Sequence, residues 1–203
     1  MISKITAVIL AAGRSTRMGA ANKLLEMYNG KTLVRHVADA AVASTASDVV
    51  VVTGHEEMRV HDALADLPLR FVSNPAFTLG LAASLSVGLT AVEESSKCAD
   101  GALVLLGDMP LVTPTLIDRI ISAFKTGYDR NVCVPYRQER RGNPVLWPRA
   151  FFPELKALSG DTGARELLTA YADVITRVEV ETNAIFTDVD TPIALAALRG
   201  ARK

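Results

Sequence analysis

From Ile5 to Leu10 the chain passes through an almost unbroken apolar run and then breaks off into a glycine loop. A strand with no polar face has to be covered on both sides, which places it inside a parallel sheet with helices above and below. The pattern recurs. Asp48–Thr53 is a β-branched run that stops at Gly54, Leu69–Val72 is a shorter strand before Asn74-Pro75, and Ala102–Leu106 ends at Gly107-Asp108. Helical periodicity fills the gaps. Thr32–Val42 sets Leu33, Val34, Val37, Ala38 and Ala41 on one side, Glu56–Leu64 reads as a short helix, and Leu81–Val92 aligns Leu81, Leu85, Leu89 and Val92. Pro114–Phe124 is helical, with Thr113 as its N-cap and Pro114 as its first residue. This alternation predicts an α/β fold with a mostly parallel sheet and helices on both faces.

After Tyr128 the rhythm changes. Asn131–Pro135 and Pro144–Trp147 read as strands on either side of the polar insert from Arg137 to Asn143. Helices are expected at Phe151–Leu158 and Gly163–Tyr171, a strand at Val174–Val180, an apolar patch at Ile185-Phe186, and a last helix at Pro192–Leu198. No long linker, repeat or low-complexity segment interrupts the 203 residues, so a single domain is expected. With 22 basic and 22 acidic side chains the chain lacks the basic footprint of a nonspecific nucleic-acid binder. Its first apolar run falls short of the roughly 20 residues of a membrane span and has no signal-peptide architecture. Cys98 and Cys133 have no metal-like spacing. They read as buried thiols of a reduced, cytoplasmic protein.

The loop after the first strand carries Gly13, Arg14, Ser15, Arg17 and Gly19, and Lys23 follows. Glycine lets a backbone approach phosphate oxygens closely, and clustered cations supply charge-assisted hydrogen bonds. The loop is therefore a candidate polyphosphate cradle; the bland alternative is a connecting turn. No Gly-Lys-Ser/Thr ends it and no G-x-G-x-x-G is present, which excludes the Walker A loop and the dinucleotide fingerprint.

The run Leu10-Ala11-Ala12-Gly13-Arg14-Ser15-Thr16-Arg17-Met18-Gly19, with Lys23, resembles the signature of nucleotidyltransferases that activate small molecules with NTPs. Within them it is similar to the MobA-like branch, and more narrowly to molybdenum cofactor cytidylyltransferases. The resemblance runs from Val8 to Pro192. It implies a Rossmann-like sheet of the nucleotide-diphospho-sugar transferase type, with its site at the carboxyl ends of the strands. Residues 1–127 would be a nucleotide-binding half and 128–203 an acceptor-binding half with the terminal helix. Leu10, Ala11, Ala12, Gly13, Arg14 and Ser15 would bind nucleotide, with Arg17 and Lys23 taking part in catalysis.

Four further segments carry candidate chemistry. Asp108 directly follows a buried strand, where a hard carboxylate can hold Mg²⁺ or simply make an Asx-turn or helix cap. The likeness of Gly107-Asp108-Met109-Pro110 to the family's metal motif favours the metal. Asp188 and Asp190 share a face if their segment is extended; Asp190 is alternatively the N-cap of the terminal helix. The resemblance makes either of them a second magnesium contact. Gly80 and Ser84 match a family segment that lies against the nucleotide, although Leu81, Ala82 and Ala83 replace its Met and two serines; an ordinary amphipathic helix is the alternative. Arg141-Gly142-Asn143-Pro144 and Gly160-Asp161-Thr162-Gly163-Ala164-Arg165 resemble acceptor-side segments, so Gly142, Asn143 and Arg165 are candidates to meet a phosphorylated pterin; Arg165 reads equally as a surface salt-bridge residue. His36, His55 and His61 are scattered and none is assigned to catalysis.

The reaction so implied is Mg²⁺-dependent transfer of CMP from CTP to molybdopterin, with a xanthine-dehydrogenase-type enzyme as recipient of the product. CTP is expected because relatives using GTP tend to have glycine where this chain has Ala12, whose methyl group narrows the loop floor. The alternatives are a nucleotidyltransferase using GTP or another phosphorylated acceptor, and a non-catalytic nucleotide- or cofactor-binding accessory protein.

Overall fold

The computed structural model describes residues 3–15, 18, 21–95, 99–126, 130–160 and 164–200. Its strands are β1 (Ile5–Ala11), β2 (Met27–Tyr28), β3 (Lys31–Thr32), β4 (Asp48–Thr53), β5 (Arg70–Ser73), β6 (Gly101–Leu106), β7 (Val132–Arg137), β8 (Arg140–Arg141), β9 (Val145–Pro148) and β10 (Ile175–Glu179). Its helices are α1 (Leu33–Val42), α2 (Glu57–Leu64), α3 (Leu81–Ser95), α4 (Pro114–Thr126), α5 (Phe152–Lys156), α6 (Arg165–Ala170) and α7 (Pro192–Gly200).

One large sheet runs in the order β10-β7-β9-β6-β1-β4-β5, with β8 beside β7 and β2-β3 as a separate ribbon. The pairs β1–β4, β1–β6, β4–β5 and β7–β10 are parallel, and β9 enters antiparallel between β6 and β7. The sheet is thus mostly parallel, and strands of the second half extend the sheet of the first.

β1 is buried along its whole length, as its sequence requires. Ile5, Ala7, Ile9 and Ala11 pack on one face with α1, α2 and α4; Val8, Leu10 and Ala12 pack on the other with α3, α5 and α6. Gly88 lets α3 cross close to the sheet, since a Cβ there would lie 2.6 Å from Val8 Cγ1. Thr113 caps α4 as expected, its Oγ1 accepting from Leu116 N at 3.2 Å. Cys133 is buried, as expected, and that burial pushes its thiol up to about 12; Cys98 lies outside the described residues. Among the described residues no helix is long and apolar enough to cross a membrane.

Several local features differ from expectation. Two hairpins stand where loops or nothing were predicted. β2 and β3 are joined at Asn29-Gly30, both at positive φ, and this dipeptide suits a primed turn that matches strand twist. β7 and β8 turn through Gln138 and Glu139, also both at positive φ, so the polar insert folds back on the sheet. The helix expected at Phe151–Leu158 begins as a 3-10 turn at Arg149–Phe151 and is helical only over Phe152–Lys156. The Ile185-Phe186 patch is a 3-10 turn, Asn183–Phe186, capped by Thr182.

Candidate active site

The carboxyl ends of β1 and β6 bring the candidate residues together. Beyond β1 the loop begins at Ala12. Gly13 is not at positive φ, and a Cβ on it would meet nothing within 4 Å. The fold therefore does not demand glycine there; the missing side chain leaves the loop's surface open. Ser15 has φ 54°, and its Oγ accepts from Lys23 N at 3.1 Å, so the loop closes onto the residue that follows it. Asn22 accepts from Leu24 N at 3.1 Å and caps the short 3-10 turn that carries Lys23. Arg17 and Gly19 lie outside the described residues.

Lys23 Nζ sits 2.5 Å from Asp108 Oδ2 and 2.5 Å from Asp190 Oδ1. Backbone geometry builds this triad. Gly107 N donates to Leu10 O at 3.0 Å, and a Cβ on Gly107 would lie 3.1 Å from that same oxygen, so β6 reaches its end tight against β1. Close approach, rather than a sharp turn, is the reason for glycine at 107. Val189 is buried, and its N–H donates to the Asp108 carbonyl at 3.0 Å, which docks the 188–190 segment beside Asp108. Both capping alternatives fail. Among the described residues Asp108 caps no helix, and Thr191 caps α7, its Oγ1 accepting from Ala194 N at 3.1 Å. Asp190 is thereby left to reach Lys23, while Asp188 is exposed.

Burial pulls the Lys23 ammonium toward neutrality, but the charges and hydrogen bonds of Asp108 and Asp190 outweigh it and hold its pKa above the ordinary lysine range. Burial pushes the Asp108 carboxyl above the usual carboxylate range, Lys23 opposes that, and the charges of Asp190 and Asp188 add to it. Three carboxylates thus gather near one ammonium, which touches two of them. Asp108 Oδ1 is buried and has no hydrogen-bond partner among the described residues. Those residues contain no group of three or more metal-ligating side chains arranged about one point. Magnesium, however, is commonly held by one or two carboxylates with the substrate's phosphates completing its shell, and an orphaned carboxylate oxygen beside a second carboxylate fits that chemistry.

Two cavities meet at the triad. The first, about 280 Å³, is lined by Leu10, Ala12, Gly13, Arg14, Ser15, Lys23, Gly80, Ser84 and Asp108, with Phe77 and Thr78 at its side. The second, about 530 Å³, is lined by Asn143, Arg165, Glu166 and Asp190 over an apolar bed that includes Leu85, Val145, Trp147 and Leu168. Leu10, Leu81 and Leu106 line both. The Lys23–Asp190 contact therefore spans the seam between them.

Not every expected residue faces a cavity. Ala11 points into the core on the far face of the sheet. Ser84 Oγ already accepts from the buried Asn74 amide at 3.0 Å. Gly80 has φ 102°, a conformation other residues adopt with strain. The N-terminus of α3 is not wholly open, because Ala82 N donates to Gly160 O at 3.1 Å; this contact joins the two motif regions. Gly142 lines neither cavity, and a Cβ on it would lie 2.5 Å from Ile185 O, which gives its glycine a packing reason. Asp161 and Gly163 lie outside the described residues. Sequence reasoning missed Phe77, Trp147 and Glu166 as lining residues; isolated side chains on separate elements carry no local pattern that would mark them.

The chain matches the MobA-like NTP transferase domain over residues 7–174 and belongs to that family. The family's reaction is nucleotidyl transfer from an NTP. Among curated proteins, nicotine blue oxidoreductase of Paenarthrobacter nicotinovorans is 30% identical over 193 residues, 92% of this chain and 92% of that protein. The bifunctional protein GlmU of Halorhodospira halophila is 37% identical over 123 residues, 60% of this chain but only 25% of that protein. Among solved structures, Rv0371c of Mycobacterium tuberculosis H37Rv superposes with a TM-score of 0.85 at 29% identity, covering 99% of this chain and 100% of that one. Its manganese complex gives 0.82 at 28% identity, covering 98% and 100%.

Proposed function

We propose that this chain transfers CMP from CTP to the phosphate of molybdopterin, releasing pyrophosphate and forming molybdopterin cytosine dinucleotide. The observation that carries the reading is the triad at the seam: Lys23 touches Asp108 in the first cavity and Asp190 in the second. A transferase needs its two substrates to meet at one charged point, and this is where two separately lined spaces join. In this reading the whole chain works as one domain, with residues 1–127 binding nucleotide and residues 128–203 the acceptor.

An oxygen of the acceptor phosphate attacks the α-phosphorus of CTP. The new P–O bond forms as the bond to the β-phosphate bridge breaks, and pyrophosphate leaves with that electron pair. The attacking oxygen is already anionic, so the work of the site is positioning and charge neutralisation. Arg14, Arg17 and Lys23 hold the β- and γ-phosphates, and the bare backbone at Gly13 lets them approach. Gly80 and Ser84 flank the nucleoside, and the Ala12 methyl narrows the floor beneath it in favour of a pyrimidine. Asn143 and Arg165 orient the acceptor over the apolar bed. Asp108 and Asp190, with Asp188 outside them, would hold Mg²⁺, which when bound neutralises phosphate charge; a divalent metal is in keeping with the Mycobacterium relative having been solved in complex with manganese.

The test is pyrophosphate release with molybdenum-loaded molybdopterin, comparing CTP with GTP and Mg²⁺ with Mn²⁺. Release with CTP alone is expected. Preference for GTP would overturn the base assignment, and silence with both nucleotides the acceptor. The full-length likeness to nicotine blue oxidoreductase favours a second reading, a redox enzyme on the same scaffold. Transfer of a hydride from NADH or NADPH to an added quinonoid dye, which is reduced as the dinucleotide is oxidised, with no pyrophosphate release, would establish it instead.

A further inference from the structure

The acceptor cavity does not close at Arg165. Arg165 and Glu166 also line a second hollow of about 430 Å³, shared with Arg141 and Thr169. Arg141 and Thr169 in turn line a third hollow of about 360 Å³ against Tyr136 and Arg177. Shared walls make the three one groove, running from Asp190 outward between α6 and the β7–β8 hairpin.

The arginines of this face are not equivalent. Arg177 stacks 4.3 Å over Tyr136 and pairs with Glu139 at 2.8 Å and Glu179 at 3.2 Å. Arg140 lies over the Phe186 ring, and Arg137 donates to the Asn183 side chain. Of these arginines Arg141 and Arg165 line the middle of the groove, and neither has an ion pair or hydrogen-bonded side-chain partner among the described residues. Glu166 shares the hollow but forms no ion pair with either among the described residues. Two uncompensated guanidinium groups facing one hollow form a natural clamp for an anion, and arginine's fork suits oxyanions in particular.

We propose that Arg141 and Arg165 bind a second, non-reacting anionic group of an elongated acceptor. This rests on the transferase reading and deepens it. The reacting phosphate lies at the Asp190 end, the body of the acceptor crosses the bed formed by Trp147 and Leu168, and the second oxyanion reaches the clamp. Glu166 faces the same stretch as a hydrogen-bond acceptor for N–H groups beside that anion. A small sugar phosphate or polyol phosphate would leave the outer groove unused, so the clamp selects for length as well as charge.

Two measurements on the full chain test the clamp. The first is a tungstate soak of crystals, read by anomalous density, for the native protein and for Arg141→Ala. Density between Arg141 and Arg165 that disappears in the variant supports the proposal whatever the acceptor proves to be; its absence in the native crystal overturns it. The second applies if molybdopterin turns over. Arg141→Ala should then raise the acceptor KM about tenfold and leave the CTP KM within about twofold, with Arg141→Lys recovering part of the loss. An acceptor KM unchanged within twofold overturns the clamp while leaving the transferase reading intact. If molybdopterin is inert, the transferase reading fails on its own and the tungstate result alone decides the clamp.

Discussion

Gly13 and Gly142 both stand in motif loops and both look from sequence like places where a backbone meets a ligand. The structure separates them. A side chain at Gly13 would enter empty space, whereas one at Gly142 would strike Ile185. The first loop leaves its glycine facing open space, whereas the second is shaped by the chain's own packing. The contrast extends to the surroundings. The first region holds its charged residues by backbone rungs, Gly107 to Leu10 and Val189 to Asp108, while the second presents exposed arginines beside an apolar bed.

The largest effect should come from the triad that joins the regions. Asp108→Ala is expected to lower turnover by more than about 10³, measured as pyrophosphate release. Near-native turnover would remove Asp108 from the chemistry. Lys23→Ala should cost on the order of 10²–10³ in rate. It should also lower the urea midpoint, because Asp108 and Asp190 would face each other without their shared ammonium.

The two glycines come next and are predicted to split cleanly. Gly142→Ala should destabilise by about 1–3 kcal/mol or more, the usual cost of forcing atoms into a packed site. Gly13→Ala should leave stability within about 0.5 kcal/mol of native and raise the CTP KM on the order of tenfold, by filling the space over the loop. If Gly13→Ala lowers the urea midpoint as far as Gly142→Ala does while leaving the CTP KM unchanged, the distinction drawn between the loops is wrong.

The smallest effect concerns pH. Because the folded Asp108 pKa lies above its unfolded value near 3.8, the folded state binds this proton more tightly. The associated stability is present below the unfolded pKa and is lost as pH rises through the folded pKa. Asp108→Asn, which imitates the neutral acid, should therefore gain stability over the native chain at neutral pH. The gain should shrink as pH falls toward the carboxylate range. Urea titrations at pH 7.5 and pH 5 compare the two, and an advantage that grew on acidification would contradict the assigned direction.

Much of the first half was legible because its signals are local. The apolar runs at Ile5–Leu10 and Ala102–Leu106 can only be interior strands, and residues at their ends necessarily share one edge. That logic alone brings the Gly13 loop near Asp108. The Asn29-Gly30 hairpin is equally local, since that dipeptide is itself a turn signal. Asp190 was different. Its neighbourhood fitted a helix cap as well as a ligand, and only the tertiary structure shows that Thr191 supplies the cap while the buried Val189 docks the segment beside Asp108.

Sequence by itself determined the sheet, the loop and the edge where charge collects, since burial periodicity and glycine placement act within a few residues. Tertiary structure alone decided that Lys23 lies between Asp108 and Asp190, that β9 inserts antiparallel between β6 and β7, and that Arg141 opens onto the same groove as Arg165. Those relations join residues far apart in the chain. They depend on how separate elements pack, and no short-range pattern encodes that.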